Sequence, residues 1–325
     1  MKEDERVIII ADSQGRGFGF AKEVYNYLLS KGQRGFIVEL TDILKTKFRD
    51  GEFKVRIKDN VRRGKCFFIH DANKNPCEWL AELVFVLEAM SFSSPAEINV
   101  VLPYTKFARQ DRKDESRVSV NTKALADVIS HYADRGMTVD LHAPQIQEYF
   151  SIPFDNLYSF PVLISYLVRN CPSILNNLVL VSPDAGGAKR VESLQKRLSK
   201  IGIGAEMGIC YKKRQKENEV EEIKIMGDVA GKNCIIVDDI IDTGATFEKT
   251  AKVLKEKGAN QVYAYAAHGI FSEGFDKFKA IDKLIVTDSL SNEKNEKLEI
   301  VPLAELFGEA IYRTIVGESL SSLFN

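Results

Sequence analysis

The sequence lacks an excess of charge of either sign. Its 325 residues include 45 Lys and Arg against 46 Asp and Glu, which gives a formal net charge of −1. Proteins whose main partner is a nucleic acid usually present a strongly basic surface. We therefore expect no nucleic-acid partner, and only local basic loops remain as candidates for binding anions.

The sequence also has few features of membrane or exported proteins. No apolar run approaches the roughly 20 residues of a membrane span. The charged first segment, MKEDERVIII, has no apolar core long enough for a signal peptide. The five cysteines are odd in number and widely spaced, which argues against a disulfide framework or a zinc cluster. We expect a cytoplasmic protein with reduced thiols and no membrane partner.

Short apolar, β-branched segments alternate with helical patterns along almost the whole sequence. The predicted strands are RVIIIA, GFIVEL, KCFFIH, EINVVLP, MTVDLH, NLVLVSP, NCIIVDD, QVYAYAAHG and DKLIVTD. The predicted helices cover 20–30, 77–92, 122–134, 160–170, 186–200, 246–258 and 303–314. This alternation predicts an α/β fold of mainly parallel sheets flanked by helices on both faces.

Polar segments follow four of the predicted strands. These segments are YTKFARQDRKD, APQIQ, DAGGAKR and IIDTGAT. In parallel sheets ligands bind beyond the carboxyl ends of the strands, so the four segments are candidate binding loops. Two segments, NVVLPYTKFAR and LVLVSPDAGGAKR, both run from a predicted buried strand through a proline to a basic residue. This similarity suggests two related halves of the chain.

The fourth of these segments combines acids with a glycine turn. Asp238 and Asp239 end an apolar run, and the turn from Thr243 to Thr246 precedes a helical pattern. Free backbone N–H groups at such a turn favour a phosphate, and carboxylates can accept hydrogen bonds from sugar hydroxyls. Asp242 alone could equally cap the next helix. Adjacent carboxylates at a buried strand end repel each other unless a cation or ligand uses them, so the cluster predicts a sugar-phosphate site.

Longer motifs carry a resemblance to a known family. The segment VDDIIDTGAT resembles the ribose-phosphate-binding signature of type I phosphoribosyltransferases. Most of the chain resembles the ribose-phosphate pyrophosphokinases, also called phosphoribosyl pyrophosphate synthetases. The motifs run in the family's order as PYTKFARQDRKDESR, VDLHAPQIQEYFSIPFDNLY, SPDAGGAKRV, KENEV, GDVAGKNCIIVDDIIDTGAT, AHGIFS and AIYRTIVGESLSSLF. Several long motifs in one register make this resemblance specific.

The resemblance implies an activity, an assembly and a domain organisation. Family members transfer the β,γ-pyrophosphoryl group of ATP to the 1-hydroxyl of ribose 5-phosphate, use magnesium, and assemble from dimers, commonly into a homohexamer. Two tandem phosphoribosyltransferase-type I domains are implied, with residues 1–158 on the ATP side and 159–302 on the ribose 5-phosphate side. The helix within 303–325 is expected to pack back on the N-terminal domain. From the sequence pattern alone, the boundary falls between Pro153 and Pro161.

The resemblance also implies roles for individual residues. The implied ATP-binding residues are Phe48, Asp50, Gly51, Glu52, Arg109, Gln110 and Asp111. The implied ribose 5-phosphate residues are Arg214, Asp238, Asp239, Asp242, Thr243, Gly244, Ala245 and Thr246. The implied catalytic residues are Lys212 and Arg214, and the implied metal ligands are His142 and Asp184. The segment from Phe48 to Glu52 is expected to complete a neighbouring subunit's nucleotide site.

Each of these segments also has an ordinary structural interpretation. Asp50 and Gly51 alone indicate only a turn, and RQDRKDESR and KKRQKENE alone are typical of solvated surface loops. A single histidine after a strand, such as His142, is more often a packed or capping residue than a metal ligand. Histidine is also an unusual companion for magnesium, which prefers oxygen ligands.

Three segments depart from the family's usual pattern. They are ADSQGRGFG, IHDANKNP and SRVSVNTK, the last with Ser119, Asn121 and Thr122. In many family members the third segment lines a regulatory phosphate or ADP site, so activation by inorganic phosphate is left open. The first segment does not fit a dinucleotide loop, because Phe20 stands where the last glycine is needed.

Two other functions are compatible with parts of the sequence. A phosphoribosyltransferase would share the segment from Asp238 to Thr246 but would need neither the RQD loop nor a second α/β half. A noncatalytic regulatory homologue of the synthetase would keep the fold as a binding subunit. The presence of Lys212, Arg214, His142, Asp184 and the segment DGE argues against this second alternative.

Overall fold

The computed structural model describes residues 5–32, 35–213 and 222–324, and its contacts divide the chain into two compact units. The first unit consists of Met1–Tyr158, Ser289–Ser291 and Leu303–Asn325. The second unit consists of Ser159–Asp288 and Asn292–Pro302. Among the described helices, none combines the length and the apolar character that a membrane crossing requires.

The first unit is built on a seven-stranded sheet in the order β3-β2-β1-β4-β5-β6-β7. Among the described strands of this sheet, β2 and β3 are the one antiparallel pair. Its strands are β1 Glu5–Ala11, β2 Phe36–Lys47, β3 Phe53–Ile57, β4 Lys65–Ile69, β5 Glu97–Leu102, β6 Arg135–Val139 and β7 Phe154–Leu157. Its first three helices are α1 Phe18–Ser30, α2 Pro76–Phe92 and α3 Asn121–Tyr132, and a 3-10 helix covers Pro144–Tyr149.

The central strands of this sheet are apolar without interruption. Residues Val7 to Ile10 of β1 are at most 1% exposed, as expected for a parallel strand covered on both faces. Helix α2 begins where the sequence supplies a cap. The Asn75 side chain accepts a hydrogen bond from the Glu78 backbone N–H at 2.9 Å, and Pro76 occupies the first turn, where its missing N–H does no harm.

The C-terminal helix of the chain belongs to the first unit. This helix, at Ala304–Val316, packs against α1 through an edge-to-face contact between Phe20 and Phe307 with ring centroids 5.4 Å apart. The Tyr27 hydroxyl donates a hydrogen bond to Glu309 Oε2 at 2.8 Å. Gly308 allows this close approach, because a Cβ there would lie 2.5 Å from Cδ1 of Tyr27.

The second unit has its own seven-stranded sheet in the order β10-β9-β8-β11-β12-β13-β14. Its strands are β8 Leu178–Ser182, β9 Ala205–Lys213, β10 Glu222–Met226, β11 Asn233–Ile241, β12 Val262–Gly269, β13 Lys283–Thr287 and β14 Leu298–Val301. Its helices are α4 Phe160–Asn170, α5 Ala188–Lys200 and α6 Ala245–Glu256, with a 3-10 helix at Pro172–Leu175. Counted in chain order, the C-terminal helix Ala304–Val316 is α7.

Both faces of the second sheet are covered. Along β11, Cys234 and Ile236 pack into one apolar cluster, and Ile235 and Val237 pack into another. All four side chains are 0% exposed. The alternation of side chains along a strand therefore puts two separate cores on the two faces of one sheet.

The two units share one sheet topology. Adding seven to each strand number of the first order gives the second order without exception. The antiparallel hairpin stands at the same margin of both sheets, as β2 with β3 and as β9 with β10. This agreement supports the two related halves suggested by the sequence.

The sequence-based prediction was incomplete at the margins of the sheets. It missed β3, β7, β9, β10 and β14, of which four are edge strands and β9 is the neighbour of one. Edge strands need less apolar burial, so they lack the continuous apolar run on which the prediction depended. It also missed the antiparallel hairpin of each sheet. All five cysteines are free, as expected, but Cys77 is exposed on α2.

Candidate functional site

The two adjacent acids lie at the carboxyl end of β11 in the second unit. Strands β8 and β11 are parallel neighbours, and their last paired residues are Val181 and Ile236. Asp238 and Asp239 follow Ile236 by two and three residues. Asp238 is partly exposed and Asp239 is 4% exposed, so one carboxylate is open to a ligand and the other belongs to the interior.

A cation of the chain itself holds the two acids together. Nη1 of Arg190 donates hydrogen bonds to Oδ1 of Asp238 at 2.8 Å and to Oδ1 of Asp239 at 2.5 Å. Arg190 lies in the first turn of α5, which follows β8. Arg190 thus offsets the repulsion expected between the two acids. No role was predicted for Arg190 from the sequence, where it is only the basic residue that ends the segment DAGGAKR.

The charge of Asp238 depends on this arrangement. Burial, followed by the Asp239 carboxylate, raises the pKa of Asp238 to about 7, and the Arg190 guanidinium acts in the opposite direction. The backbone N–H of Asp239 also donates to Oδ1 of Asp238 at 2.9 Å. One oxygen of Asp238 is therefore held by two donors at the end of the strand.

Helix α6, which follows the turn after β11, begins in an unusual way. Gly244 is the N-cap residue of α6, with φ of +76° and no side-chain cap hydrogen bond. Asp242 lies two residues before this N-cap position and is partly exposed. A Cβ at position 244 would overlap the ring of Phe278. Thr243 and Ala245 are exposed, so the start of α6 is open to solvent.

Asp184 lies at the carboxyl end of β8 and is exposed. Its Oδ1 accepts a hydrogen bond from the Gly187 backbone N–H at 2.9 Å, and its carbonyl oxygen accepts one from Ser182 Oγ at 2.6 Å. These bonds fix the loop between β8 and α5. An exposed, anchored carboxylate is an oxygen ligand of the kind that magnesium prefers, and the metal role of Asp184 stays a prediction.

The proposed catalytic loop begins at the end of β9. Lys212 pairs through its backbone with Ile223 in the hairpin formed by β9 and β10. Arg214 lies outside the described residues. Lys212 is therefore located only by its place in the hairpin, which stands at the margin of the second sheet.

In the first unit, the segment from Phe48 to Glu52 is the turn of the hairpin formed by β2 and β3. The Phe48 N–H donates to the Glu52 carbonyl at 2.7 Å, and Asp50 Oδ1 accepts from the Glu52 N–H at 3.1 Å. Gly51 has φ of +97°. All of these residues are exposed, and the Phe48 side chain is 50% exposed. The turn therefore presents an aromatic ring and two acids to solvent.

The RQD loop follows β5 and is folded back against α3. Gln110 Nε2 donates to the carbonyl of Arg112 at 2.9 Å, and the Gln110 carbonyl accepts from the Thr122 N–H at 3.2 Å. Arg109 is exposed, whereas Asp111 is 8% exposed. The Tyr149 hydroxyl donates to the backbone carbonyl of Asp111 at 2.5 Å. The loop is thus anchored through its backbone, and Arg109 lies in its exposed part.

His142 follows β6 in the first unit and is exposed. It lies after Asp140, a buried residue with φ of +42°, in the segment that leads to the 3-10 helix. His142 belongs to the first unit and Asp184 to the second. A metal ion shared by these two residues therefore remains a prediction, and an imidazole is the less typical of the two partners for magnesium.

Each unit is thus a mainly parallel α/β sheet whose candidate residues follow the carboxyl ends of strands, and the second unit adds acids beside an open helix start. This is the arrangement of phosphoribosyltransferase-type domains. Residues 13–132 match the family described as the N-terminal domain of ribose phosphate pyrophosphokinase, and residues 210–325 match the phosphoribosyl synthetase-associated domain. The chain belongs to the ribose-phosphate pyrophosphokinase family.

Similar proteins extend over most of the chain. A ribose-phosphate pyrophosphokinase of Aquifex aeolicus is 43% identical over 92% of this chain and 96% of the relative. One of Chlorobaculum tepidum is 44% identical over 88% of both chains. The crystal structure of phosphoribosylpyrophosphate synthetase from Mycobacterium smegmatis covers 96% of this chain and 99% of that chain, with a TM-score of 0.84 and 28% identity. Both units are therefore included in the similarity.

Proposed function

We propose that the protein transfers the β,γ-pyrophosphoryl group of ATP to the 1-hydroxyl of ribose 5-phosphate, giving 5-phosphoribosyl 1-pyrophosphate and AMP. Family membership over nearly the full chain supports this activity. The observation that carries it is the acid pair Asp238 and Asp239 next to the open start of α6 in the second unit. This site combines acceptors for sugar hydroxyls with donors for a phosphate.

Ribose 5-phosphate binds at the carboxyl end of β11 in this proposal. The backbone N–H groups and hydroxyls of the segment 242–246 bind the 5-phosphate at the start of α6, where the helix dipole favours an anion. Asp238 accepts hydrogen bonds from the ribose hydroxyls. Asp239 is buried, and its backbone N–H donates a hydrogen bond to Asp238 Oδ1. Arg214 adds positive charge for the sugar phosphate.

ATP binds to the first unit in this proposal. Arg109 and Gln110 contact the nucleotide, because an exposed guanidinium can bind phosphate oxygens and Gln110 lies in the same anchored loop. Asp111 helps to hold this loop in place, because its backbone carbonyl accepts a hydrogen bond from the Tyr149 hydroxyl. The exposed turn 48–52 binds adenine in a neighbouring subunit, so we propose that activity requires a homo-oligomer, built from dimers and commonly a hexamer in this family.

Magnesium is the proposed metal. Asp184 fits as an exposed, anchored oxygen ligand, and His142 is the second proposed contact, directly or through water. When bound, the metal would neutralise part of the charge on the transferring phosphates. The chain's own part is to hold the substrates in line and to add cations.

Lys212 and Arg214 are the proposed catalytic cations. Phosphoryl transfer has little covalent chemistry for a protein to perform, so catalysis depends on positioning and positive charge. Lys212 is the second-last residue of β9, and Arg214 directly follows β9 in the sequence. The first unit has the turn 48–52 at the equivalent place, since the two sheets share one strand order.

One coupled assay tests the activity. Purified protein is given ATP, ribose 5-phosphate and magnesium, and AMP formation is compared with an ATP-only control. AMP that depends on ribose 5-phosphate supports the proposal, and no AMP above the control contradicts it. A phosphoribosyltransferase would instead consume phosphoribosyl pyrophosphate with a nucleobase, and a regulatory homologue would bind ligands without turnover.

The same assay examines regulation. Repeating it with and without inorganic phosphate decides whether phosphate activates this protein, which the unusual segment around Ser119 and Asn121 leaves open. Light scattering of the active preparation tests the proposal that activity requires a homo-oligomer. An active monomer would contradict that proposal.

The cytoplasmic location stays a prediction.

A further inference from the structure

Arg190 makes a contact that none of the roles above uses. It is the third residue of α5, and its Nη1 lies 2.8 Å from Asp238 Oδ1 and 2.5 Å from Asp239 Oδ1. The three side chains are 19%, 23% and 5% exposed, respectively. One guanidinium nitrogen therefore joins both acids in a partly buried place, where hydrogen bonds between charged groups are stronger than in water.

This contact determines how Asp238 is oriented. Its Oδ1 accepts hydrogen bonds from Arg190 Nη1 and from the Asp239 backbone N–H at 2.9 Å. Because one oxygen is held at two points, the direction of Oδ2 is fixed as well. A carboxylate that is already oriented loses less rotational freedom when it accepts hydrogen bonds from a ligand.

The fold does not need this arrangement. In the first unit the last paired residues of the equivalent strands are Ile10 and Phe68, and His70 follows Phe68 by two residues, as Asp238 follows Ile236. His70 is buried, and its Nε2 lies 2.9 Å from the Trp79 carbonyl oxygen. Burial lowers the pKa of His70 to about 3, so this position is uncharged in the first unit. A sheet of the same topology thus forms without an acid pair here.

Stability is also a weak reason for keeping such a cluster. Two carboxylates and one guanidinium in a partly buried place lose much of their hydration, which offsets most of what their attraction contributes. A cluster of this kind is better explained by a ligand that one of its members binds. Asp238 is the more exposed of the two acids and is therefore the member that can reach a ligand.

We propose that Arg190 is a positioning residue of the ribose 5-phosphate site, an inference that rests on the function proposed above. Its guanidinium ties Asp238 to Asp239 and holds the Asp238 carboxylate in one orientation at the end of β11. The sugar hydroxyls then meet an acceptor that is already in place. Arg190 acts through Asp238 and itself contacts neither the sugar nor the transferring group.

The main test is the variant Arg190→Gln, which removes the charge and keeps an amide donor. Loss of a hydrogen bond to a charged group predicts a KM for ribose 5-phosphate that is about 10- to 100-fold higher. The KM for ATP should stay unchanged, because ATP binds to the first unit. Arg190→Lys keeps a cation that can reach the acids. It should therefore recover part of the affinity for ribose 5-phosphate.

The matched control is Lys189→Gln. Lys189 is the exposed neighbour of Arg190 in the first turn of α5, so the control removes the same charge without touching Asp238. We expect no change in the KM for ribose 5-phosphate in this variant. An equal rise in both variants would mean that only the general positive potential matters, and would overturn the positioning role.

A double-mutant cycle tests whether Arg190 acts through Asp238. In the background Asp238→Asn, the further change Arg190→Gln should raise the KM for ribose 5-phosphate very little, because the group that Arg190 positions is already altered. Fully additive effects of the two changes would mean that Arg190 binds the sugar phosphate independently. That result would overturn the proposal.

Two further measurements keep the test decisive. If Arg190→Gln fails to fold because two neighbouring carboxylates lose their shared cation, the double variant Arg190→Gln with Asp239→Asn is used instead, because it removes one charge of each sign. Titration calorimetry of ribose 5-phosphate gives a Kd without turnover. Wild-type protein that binds the sugar but makes no AMP contradicts the proposed activity alone, whereas an unchanged Kd in the folded Arg190 variants contradicts the positioning role.

Discussion

Thr122 fixes the backbone of the loop that contains Gln110. The Thr122 hydroxyl lies 2.9 Å from the Phe107 carbonyl oxygen and 3.1 Å from that of Gln110, and these two acceptors share its single proton. The Thr122 side chain is 0% exposed. Phe107 has φ of +64°, so the loop turns sharply at the point that Thr122 holds. One buried hydroxyl at the start of α3 therefore contacts the backbone on both sides of Arg109.

We predict that Thr122→Val weakens ATP binding. The change preserves the shape of the side chain but leaves the Phe107 carbonyl without its hydroxyl donor, at a cost of about 1 to 3 kcal/mol. The KM for ATP should rise while that for ribose 5-phosphate stays constant. Steady-state kinetics and denaturant unfolding measure the two effects, and Thr122→Ser is the control that restores the hydroxyl. An unchanged KM for ATP would show that the loop does not bind the nucleotide.

We predict that Gly244→Ala damages the ribose 5-phosphate site. Alanine is disfavoured at a φ of +76°, and its Cβ would overlap the ring of Phe278. Overpacking typically costs about 1 to 3 kcal/mol, and the turn must shift to accommodate it. We expect a higher Kd for ribose 5-phosphate by calorimetry and a lower free energy of unfolding.

The control for this prediction is Gly258→Ala. Gly258 has a similar φ of +83°, but a Cβ there would meet nothing closer than 3.9 Å. This variant should lose only the roughly 1 to 2 kcal/mol of a left-handed backbone. Its affinity for ribose 5-phosphate should equal that of the wild type. Equal loss of affinity in both variants would mean that the turn at Gly244 has no specific role.

We predict that Lys212→Ala lowers turnover much more than substrate binding. A cation that acts on the transition state contributes about 100- to 1000-fold in rate. Lys213→Ala is the matched control, because it removes the same charge from the adjacent residue at the end of β9. Steady-state kinetics beside thermal unfolding separates a catalytic effect from misfolding. If both variants lose equally little activity, Lys212 is not the catalytic cation.

We predict that Glu309→Gln loosens α7 from α1 in a pH-dependent manner. Although burial acts the other way, hydrogen bonds from Lys31, Arg313 and Tyr27 lower the pKa of Glu309 to about 2. The carboxylate therefore stabilises the folded state fully above pH 4.5, and its contribution is lost as the pH falls toward 2. The expected loss at pH 7 is about 1 to 2 kcal/mol, because these contacts are partly exposed.

Denaturant unfolding at pH 7 and at pH 3 measures this effect. The difference between wild type and Glu309→Gln should shrink at the lower pH. The exposed Glu305 lies in the first turn of the same helix, and Glu305→Gln should change little at either pH. A difference that stays constant with pH would show that Glu309 acts through packing and not through its charge.

The sequence by itself determined the central strands and most of the candidate residues. Continuous β-branched runs such as RVIIIA and NCIIVDD can be buried on both faces only in a parallel sheet with helices around it. The glycine turn after Asp238 and Asp239 is equally local, since its backbone geometry depends on adjacent residues. Such features need no knowledge of distant parts of the chain.

The tertiary structure alone decided which residues support the candidate binding loops. Arg190 meets Asp238 across 48 positions of sequence, and Thr122 holds Phe107 across 15. The edge strands and the place of α7 against α1 depend in the same way on partners far along the chain. A side chain's hydrogen-bond partner is set by where the folded elements bring it, and periodicity carries information only about a residue's near neighbours. The acid pair was therefore visible in the sequence, but the arginine that orients it was not.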